Sequence, residues 1–229
     1  MQKYKAAFIH VPKTGGSFLK NVYFRESLDE YTANATLAYL QHKHGLSISF
    51  EFKDWAFESY LNHKGFKDPE CINFTIVRNP FDMLVSLWMH KWPFPKKEWC
   101  KKIYDEKYSK FSHFLIDFFN YDIDFEPQNS PLRKNLFFQL FDDSGKCTCD
   151  YVFKYENIFS GGLEKLSSIL GLSSLKNWQK LPKRFHNRTA GKRDWRSYYN
   201  KDLIRIVQKN CESELSNFGY TFEKKLQRF

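Results

Sequence analysis

The stretch Phe8-Ile9-His10-Val11-Pro12-Lys13-Thr14-Gly15-Gly16-Ser17 constrains this chain most, because an apolar run there stops at a small turn carrying two glycines and one lysine. It reads as a buried strand, about Lys5 to Val11, that turns and enters a helix over Ser17 to Arg25. His10, inside that strand, reads as structural. The first amides of a helix have no intrahelical partner and face whatever lies in front of them, so a turn of this kind suits an anion. Gly15 and Gly16 let the main chain curl without side-chain clash, Thr14 and Ser17 carry hydroxyl donors, and Lys13 adds a mobile positive charge. The nucleoside-triphosphate loop G-x-x-x-x-G-K-S/T has a different order, since here the lysine precedes the glycines and none follows. That order argues against an ATPase or GTPase. A plain surface turn between a strand and a helix is the competing reading of the stretch taken alone.

A second stretch alters that balance. Cys71-Ile72-Asn73-Phe74-Thr75-Ile76-Val77 is another apolar, β-branched run, followed by Arg78-Asn79-Pro80 and then Phe81 to Trp88. Asn79 is a good N-cap and Pro80 a good first helical residue, which puts Arg78 at the carboxyl end of a strand and Ser86 two turns into a helix. In isolation Arg78 reads as a strand-end ion pair and Ser86 as a helix-surface hydroxyl. Taken together, Pro12-Lys13-Thr14-Gly15-Gly16-Ser17 followed by Val77-Arg78-Asn79-Pro80 and Ser86 resembles the sulfotransferases that use 3′-phosphoadenosine 5′-phosphosulfate (PAPS). The resemblance implies that Lys13, Thr14, Gly15, Gly16 and Ser17 hold the 5′-phosphosulfate. It implies that Arg78 and Ser86 hold the 3′-phosphate.

Sulfuryl transfer to an alcohol needs a base for the hydroxyl proton, and histidine titrates in the useful range. Thr36 to Gly45 reads as a short strand running into His42-Lys43-His44, an H-x-H pair. The segment Tyr39 to Phe50 resembles the region around the H-x-H of heparan sulfate 2-O-sulfotransferases, which implies His44 as base and His42 as the second choice. Glu51 and Asp54 are reserve carboxylates, and the bland alternative is a surface histidine pair. No metal is expected, because no third ligand stands near the pair.

Further along, Phe50 to Leu61 reads as a helix, and Lys91-Trp92-Pro93-Phe94-Pro95-Lys96-Lys97 as a lid or rim that two prolines keep out of regular helix. Tyr108 to Asn120 has phenylalanines and leucine at helical spacing, and Leu132 to Phe141 is a further helix candidate. Asp142-Asp143-Ser144-Gly145 is a turn leading to a strand, Tyr151 to Tyr155, then Gly161-Gly162 and a helix to Leu170. Asp122, Asp124 and Glu126 lack the further ligands and turn glycine of a calcium loop. The basic segment Lys180 to Tyr199 reads as a mobile cationic flap, with a solvated charge run as its plain alternative. The resemblance implies a late basic loop over the 3′-phosphate, and Arg193 is assigned there. Asp202 to Phe218 reads as one closing amphipathic helix.

At 229 residues, 42% hydrophobic and 27% charged, the chain suits a single domain over residues 1–229. The expected fold is α/β: a three-layer, P-loop-like domain with a mainly parallel central sheet flanked by helices. Aromatics reach 19%, enough for a core of large rings or a cleft that stacks adenine or sugar, and the net charge of +10 suits PAPS, its product PAP and an anionic glycan. The expected activity is transfer of a sulfuryl group from PAPS to an acceptor hydroxyl on a carbohydrate. The alternatives are a P-loop-type nucleotide kinase or NTPase, and a basic nucleic-acid-binding module; nucleic acid is not the expected partner, and oligomeric state is left open. Cys71, Cys100, Cys147, Cys149 and Cys211 form no zinc pattern and are expected as free thiols. No run approaches the ~20 apolar residues that span a bilayer. With Met1 close to the first strand, the expectation is a soluble cytoplasmic enzyme of microbial or viral type, the alternative being an excised lumenal catalytic domain.

Overall fold

The computed structural model describes residues 6–9, 11, 13–15, 72–91, 98–120, 136–137, 140–170 and 194–223. Among these, three strands, β1 (Ala6–Ile9), β2 (Ile72–Val77) and β3 (Tyr151–Lys154), form one sheet in the order β1-β2-β3. The described α-helices are α1 (Pro80–Met89), α2 (Glu98–Lys107), α3 (Phe111–Asn120), α4 (Leu163–Leu170), α5 (Lys201–Asn210) and α6 (Glu212–Phe218). Both strand pairings are parallel, with Ala6 opposite Ile72, Ile9 opposite Thr75, Phe74 opposite Tyr151 and Val77 opposite Lys154. The molecule is therefore α/β with a parallel sheet, as the alternation of strand-like and helix-like segments predicts.

The chain groups into two compact units, Met1–Val77 with Gln139–Arg188 and Arg78–Phe138 with Thr189–Phe229. In the first, β2 is the middle strand, and Asn73 through Val77 are all buried, which explains its near-continuous apolar sequence. Its two polar residues are satisfied internally. The Thr75 hydroxyl donates to the Ile9 carbonyl at 2.8 Å, stitching β2 to β1. Asp150, just ahead of β3, accepts from the Asn73 amide at 2.8 Å through its carboxylate and returns its own amide to the Asn73 carbonyl at 2.8 Å. After β3 the chain passes through a 3-10 turn (Tyr155–Asn157) and a π-type turn (Ile158–Gly162) into α4. Gly161, at φ +102, supplies the reversal that the sequence's Gly-Gly pair announces.

The second unit is built on aromatic packing. Phe81, Leu84, Phe111, Phe114, Leu115, Phe118, Leu203 and Val207 are buried, and α3 packs against both α1 and α5. Each such ring or branched chain contributes roughly 1.5–3 kcal/mol on leaving water. At the end of α1 the Trp88 indole donates to the Tyr108 carbonyl at 2.8 Å, while the Tyr104 hydroxyl donates to the Trp88 carbonyl at 2.9 Å. Burial pushes both the Tyr104 and Tyr108 phenols above their ordinary range.

Three expectations are corrected. Leu132 to Phe141 is not one helix: Leu136 and Phe137 lie in a turn, and Phe141 forms an isolated antiparallel bridge with Cys147. The Leu136 amide donates to the buried Glu214 carboxylate at 2.8 Å instead of to a helical carbonyl. The closing helix is two helices, because Cys211 (φ −119, ψ 28) leaves helical geometry between α5 and α6. The end of the supposed flap is packed: Trp195–Tyr198 is a 3-10 turn, and Tyr199 donates its hydroxyl to the Phe81 carbonyl at 2.8 Å. The rings of Trp195, Tyr199 and Phe222 surround Phe81 at centroid distances of 5.1 to 6.1 Å. Helix α2 was not foreseen from the sequence; its charged residues hide the buried Tyr104, and the buried Tyr108 follows just after its end.

Candidate active site

The turn after β1 is held from within. Val11 and Thr14 are fully buried, and the Thr14 hydroxyl donates to the Val11 carbonyl at 2.7 Å. Lys13 on one side of Thr14 has φ +64 and Gly15 on the other has φ +95. Positive φ on both sides of a buried residue is the kind of backbone in which successive amides can be turned toward one anion. A lysine in that region costs about 1–2 kcal/mol, a strain that persists only where the surroundings impose it. Gly15 is required on a second count, since a Cβ there would lie 2.9 Å from the Tyr155 ring. The Thr14 side chain thus shapes the turn with its proton directed inward; Gly16 and Ser17 lie outside the described residues.

Following β2, Arg78 opens the second unit. Asn79 caps α1, its side chain accepting from the Phe81 amide at 3.1 Å, and Pro80 occupies the first turn. The Asn79 amide also donates to the Thr221 carbonyl at 3.1 Å. Arg78 donates through Nε to Asp82 Oδ2 at 2.8 Å, with the two side chains only 13% and 19% exposed. Ser86, buried, sits one turn beyond Asp82 on the same helix face. One turn further, His90 Nδ1 donates to the Ser86 carbonyl at 2.9 Å. The helix therefore aligns Asp82, Ser86 and His90 along one ridge, with the Arg78 guanidinium pinned to its start. Sequence reasoning missed Asp82, although its spacing of four from Arg78 was the available signal.

The remaining predicted site residues, His42, His44 and Arg193 together with the reserve carboxylates Glu51 and Asp54, lie outside the described residues. Among the described residues no three His, Cys, Asp or Glu side chains group as a metal site, and no helix is long and apolar enough to cross a membrane. Cys147, Cys149 and Cys211 are free thiols.

The sequence model of the sulfotransferase family matches residues 1–221. A crystal structure of a mouse sulfotransferase complexed with PAP is similar to the chain with a TM-score of 0.48 and 15% identity, covering 92% of this chain and 84% of the mouse chain. No curated protein matches the sequence.

Proposed function

Since the chain belongs to the sulfotransferase family over residues 1–221, the PAPS-dependent enzymes of sulfuryl transfer that its two motifs resemble, we propose that its acceptor is a carbohydrate hydroxyl. We propose with it a division of labour among the chain's own residues. Lys13 and the amides of the turn through Gly15, continued by Gly16 and Ser17, hold the phosphosulfate. Thr14 takes part through its amide, because its hydroxyl is committed to Val11. Arg78 and Ser86, joined by Arg193, hold the 3′-phosphate. His44, or failing it His42, removes the acceptor proton as the oxygen attacks sulfur in line. The bond from sulfur to the bridging phosphate oxygen breaks, PAP departs, and Lys13 offsets the charge growing on the bridging oxygen. One family model running from residue 1 to 221 supports reading the chain as a single sulfotransferase domain. Free thiols at Cys147, Cys149 and Cys211 suit a reducing, cytoplasmic setting.

The observation that carries this reading is the strained lysine: a non-glycine residue at φ +64, beside a fully buried threonine whose hydroxyl is tied to Val11, in a turn that also holds Gly15 at φ +95. The test is an acceptor screen with labelled PAPS, read by mass spectrometry. A labelled glycan is the expected product; label found only on small phenols or on tyrosine would remove the carbohydrate acceptor. His44→Ala should lower turnover by about two to four orders of magnitude, the usual scale for loss of a general base. Full activity in that variant would move the role to His42 or Glu51. Thermal stabilisation by ATP with magnesium and none by PAP would return the kinase reading.

A further inference from the structure

Arg78 is fixed at both its backbone and its side chain. The backbone lies between the fully buried Val77, last residue of β2, and Asn79, which caps α1. The side chain gives its Nε hydrogen to Asp82 Oδ2 at 2.8 Å, with both partners mostly buried. The Arg205–Asp202 pair on α5 shows an ordinary helix-surface contact in the same protein, 3.4 Å long with both side chains largely exposed. Water and salt screen a pair that open, and they reach the Arg78–Asp82 pair far less. Asp82 is itself anchored. It stands in the first turn of α1, where the Met83 amide donates to the Asn79 carbonyl at 2.9 Å and the Phe81 carbonyl accepts the Tyr199 hydroxyl at 2.8 Å. An acid in a first helical turn is favoured by the helix dipole, but that effect asks for no arginine at hydrogen-bond distance.

We propose that Asp82 is a positioning residue for donor recognition, fixing the Arg78 guanidinium so that its Nη1–Nη2 end, and not its Nε side, meets the 3′-phosphate. A guanidinium can grip a phosphate through two parallel N–H bonds either along its Nε side or across its terminal pair. With the Nε hydrogen given to Asp82, a two-pronged grip has to come from the terminal pair. The inference rests on the reading that Arg78 holds the 3′-phosphate, and adds what makes that contact selective. A planar fork oriented beforehand loses less freedom when the phosphate arrives, and it suits a phosphate in one place better than an anion arriving from any side. Asp82 acts through Arg78 alone, because its own negative charge opposes a phosphate.

The experiment measures, by calorimetry on the full-length chain, the affinities for PAP and for adenosine 5′-monophosphate, the same nucleotide without the 3′-phosphate. Asp82→Ala should weaken PAP by about tenfold, the lower end of the scale for a hydrogen bond to a charged group, and leave the monophosphate unchanged. Asp82→Asn keeps an oxygen for the Nε hydrogen and should recover most of the lost PAP affinity. In an Arg78→Ala background Asp82→Ala should cost nothing further, since the group it orients is gone. Equal losses for the two nucleotides, or a further loss in the Arg78→Ala background, would make Asp82 a structural residue only and overturn the proposal. Unchanged PAP affinity in Asp82→Ala, or Asp82→Asn binding no better than Asp82→Ala, would overturn it as well. Should Arg78→Ala itself bind PAP like the wild type, the role given to Arg78 fails and the positioning role with it; a loss there with none in Asp82→Ala sinks the positioning role alone.

Discussion

After β1 the chain reverses through its backbone, with Lys13 and Gly15 both left-handed around a buried Thr14, whereas after β2 it is redirected by side chains: the Asn79 cap, the Pro80 ring and the Arg78–Asp82 pair. Both exits follow parallel neighbours in one sheet, so the same architectural task is met in two ways. The first turn depends on dihedral angles that few residues tolerate, and in the proposed mechanism its main-chain amides act with the Lys13 ammonium. The second depends on identifiable groups in fixed order, and the chemistry proposed for it lies in a guanidinium and a hydroxyl. A backbone-made site should fail when its conformation is disturbed, and a side-chain-made site when one functional group is deleted.

That contrast can be broken by mutation. Of the changes at the two exits, Lys13→Ala should cost the most, lowering kcat by about a hundred- to a thousandfold, the scale of losing one donor to developing charge; unchanged turnover would strip Lys13 of its role. Arg78→Ala should appear first in donor binding, weakening PAP by about ten- to a hundredfold as a charged hydrogen bond is lost, measured by calorimetry. Wild-type PAP affinity in Arg78→Ala would separate the two exits functionally. Gly15→Ala forces a Cβ against Tyr155 at positive φ and should destabilise the fold by about 1–3 kcal/mol, read from chemical denaturation. Should it prove neutral, the first turn is not fixed by conformation in the way described. Asn79→Ala removes the cap and should cost about 1 kcal/mol. Asp82→Asn should be the mildest in stability, about 0.5 kcal/mol for a pair spaced by four residues. A larger loss there than in Gly15→Ala would invert the comparison.

Legibility followed the same divide. The β2-to-α1 passage was readable because an apolar β-branched run, an N-cap residue and a proline each leave a mark in composition, and the structure places all three as expected. Helix α3 was readable because Phe111, Phe114, Leu115, Phe118 and Phe119 repeat at helical spacing, and all are buried. The inward Thr14 hydroxyl was not readable, since a threonine in a glycine turn looks the same whether it serves a ligand or the backbone. Glu98–Lys107 escaped because its charged residues leave Tyr104 as a lone buried ring among its described residues, and Pro93 and Pro95 just before it suggested irregular chain. Leu132 to Phe141 misled for the converse reason: its leucines and phenylalanines sit at helical spacing, yet Leu136 and Phe137 are buried in a turn secured by Glu214. The break at Cys211 has no glycine or proline to announce it.

The hydrogen bond from Asn79 to the Thr221 carbonyl joins positions 142 residues apart, and Phe222 closes the ring cluster on Phe81 beside it. The residue that caps α1, next door to the arginine of the second motif, is thus secured by chain made 142 residues later. A nascent polypeptide cannot complete that helix start until Thr221 has left the ribosome. Trimming before Thr221, or fusing a tag directly there, would reach the front of α1 as surely as a substitution at Asn79.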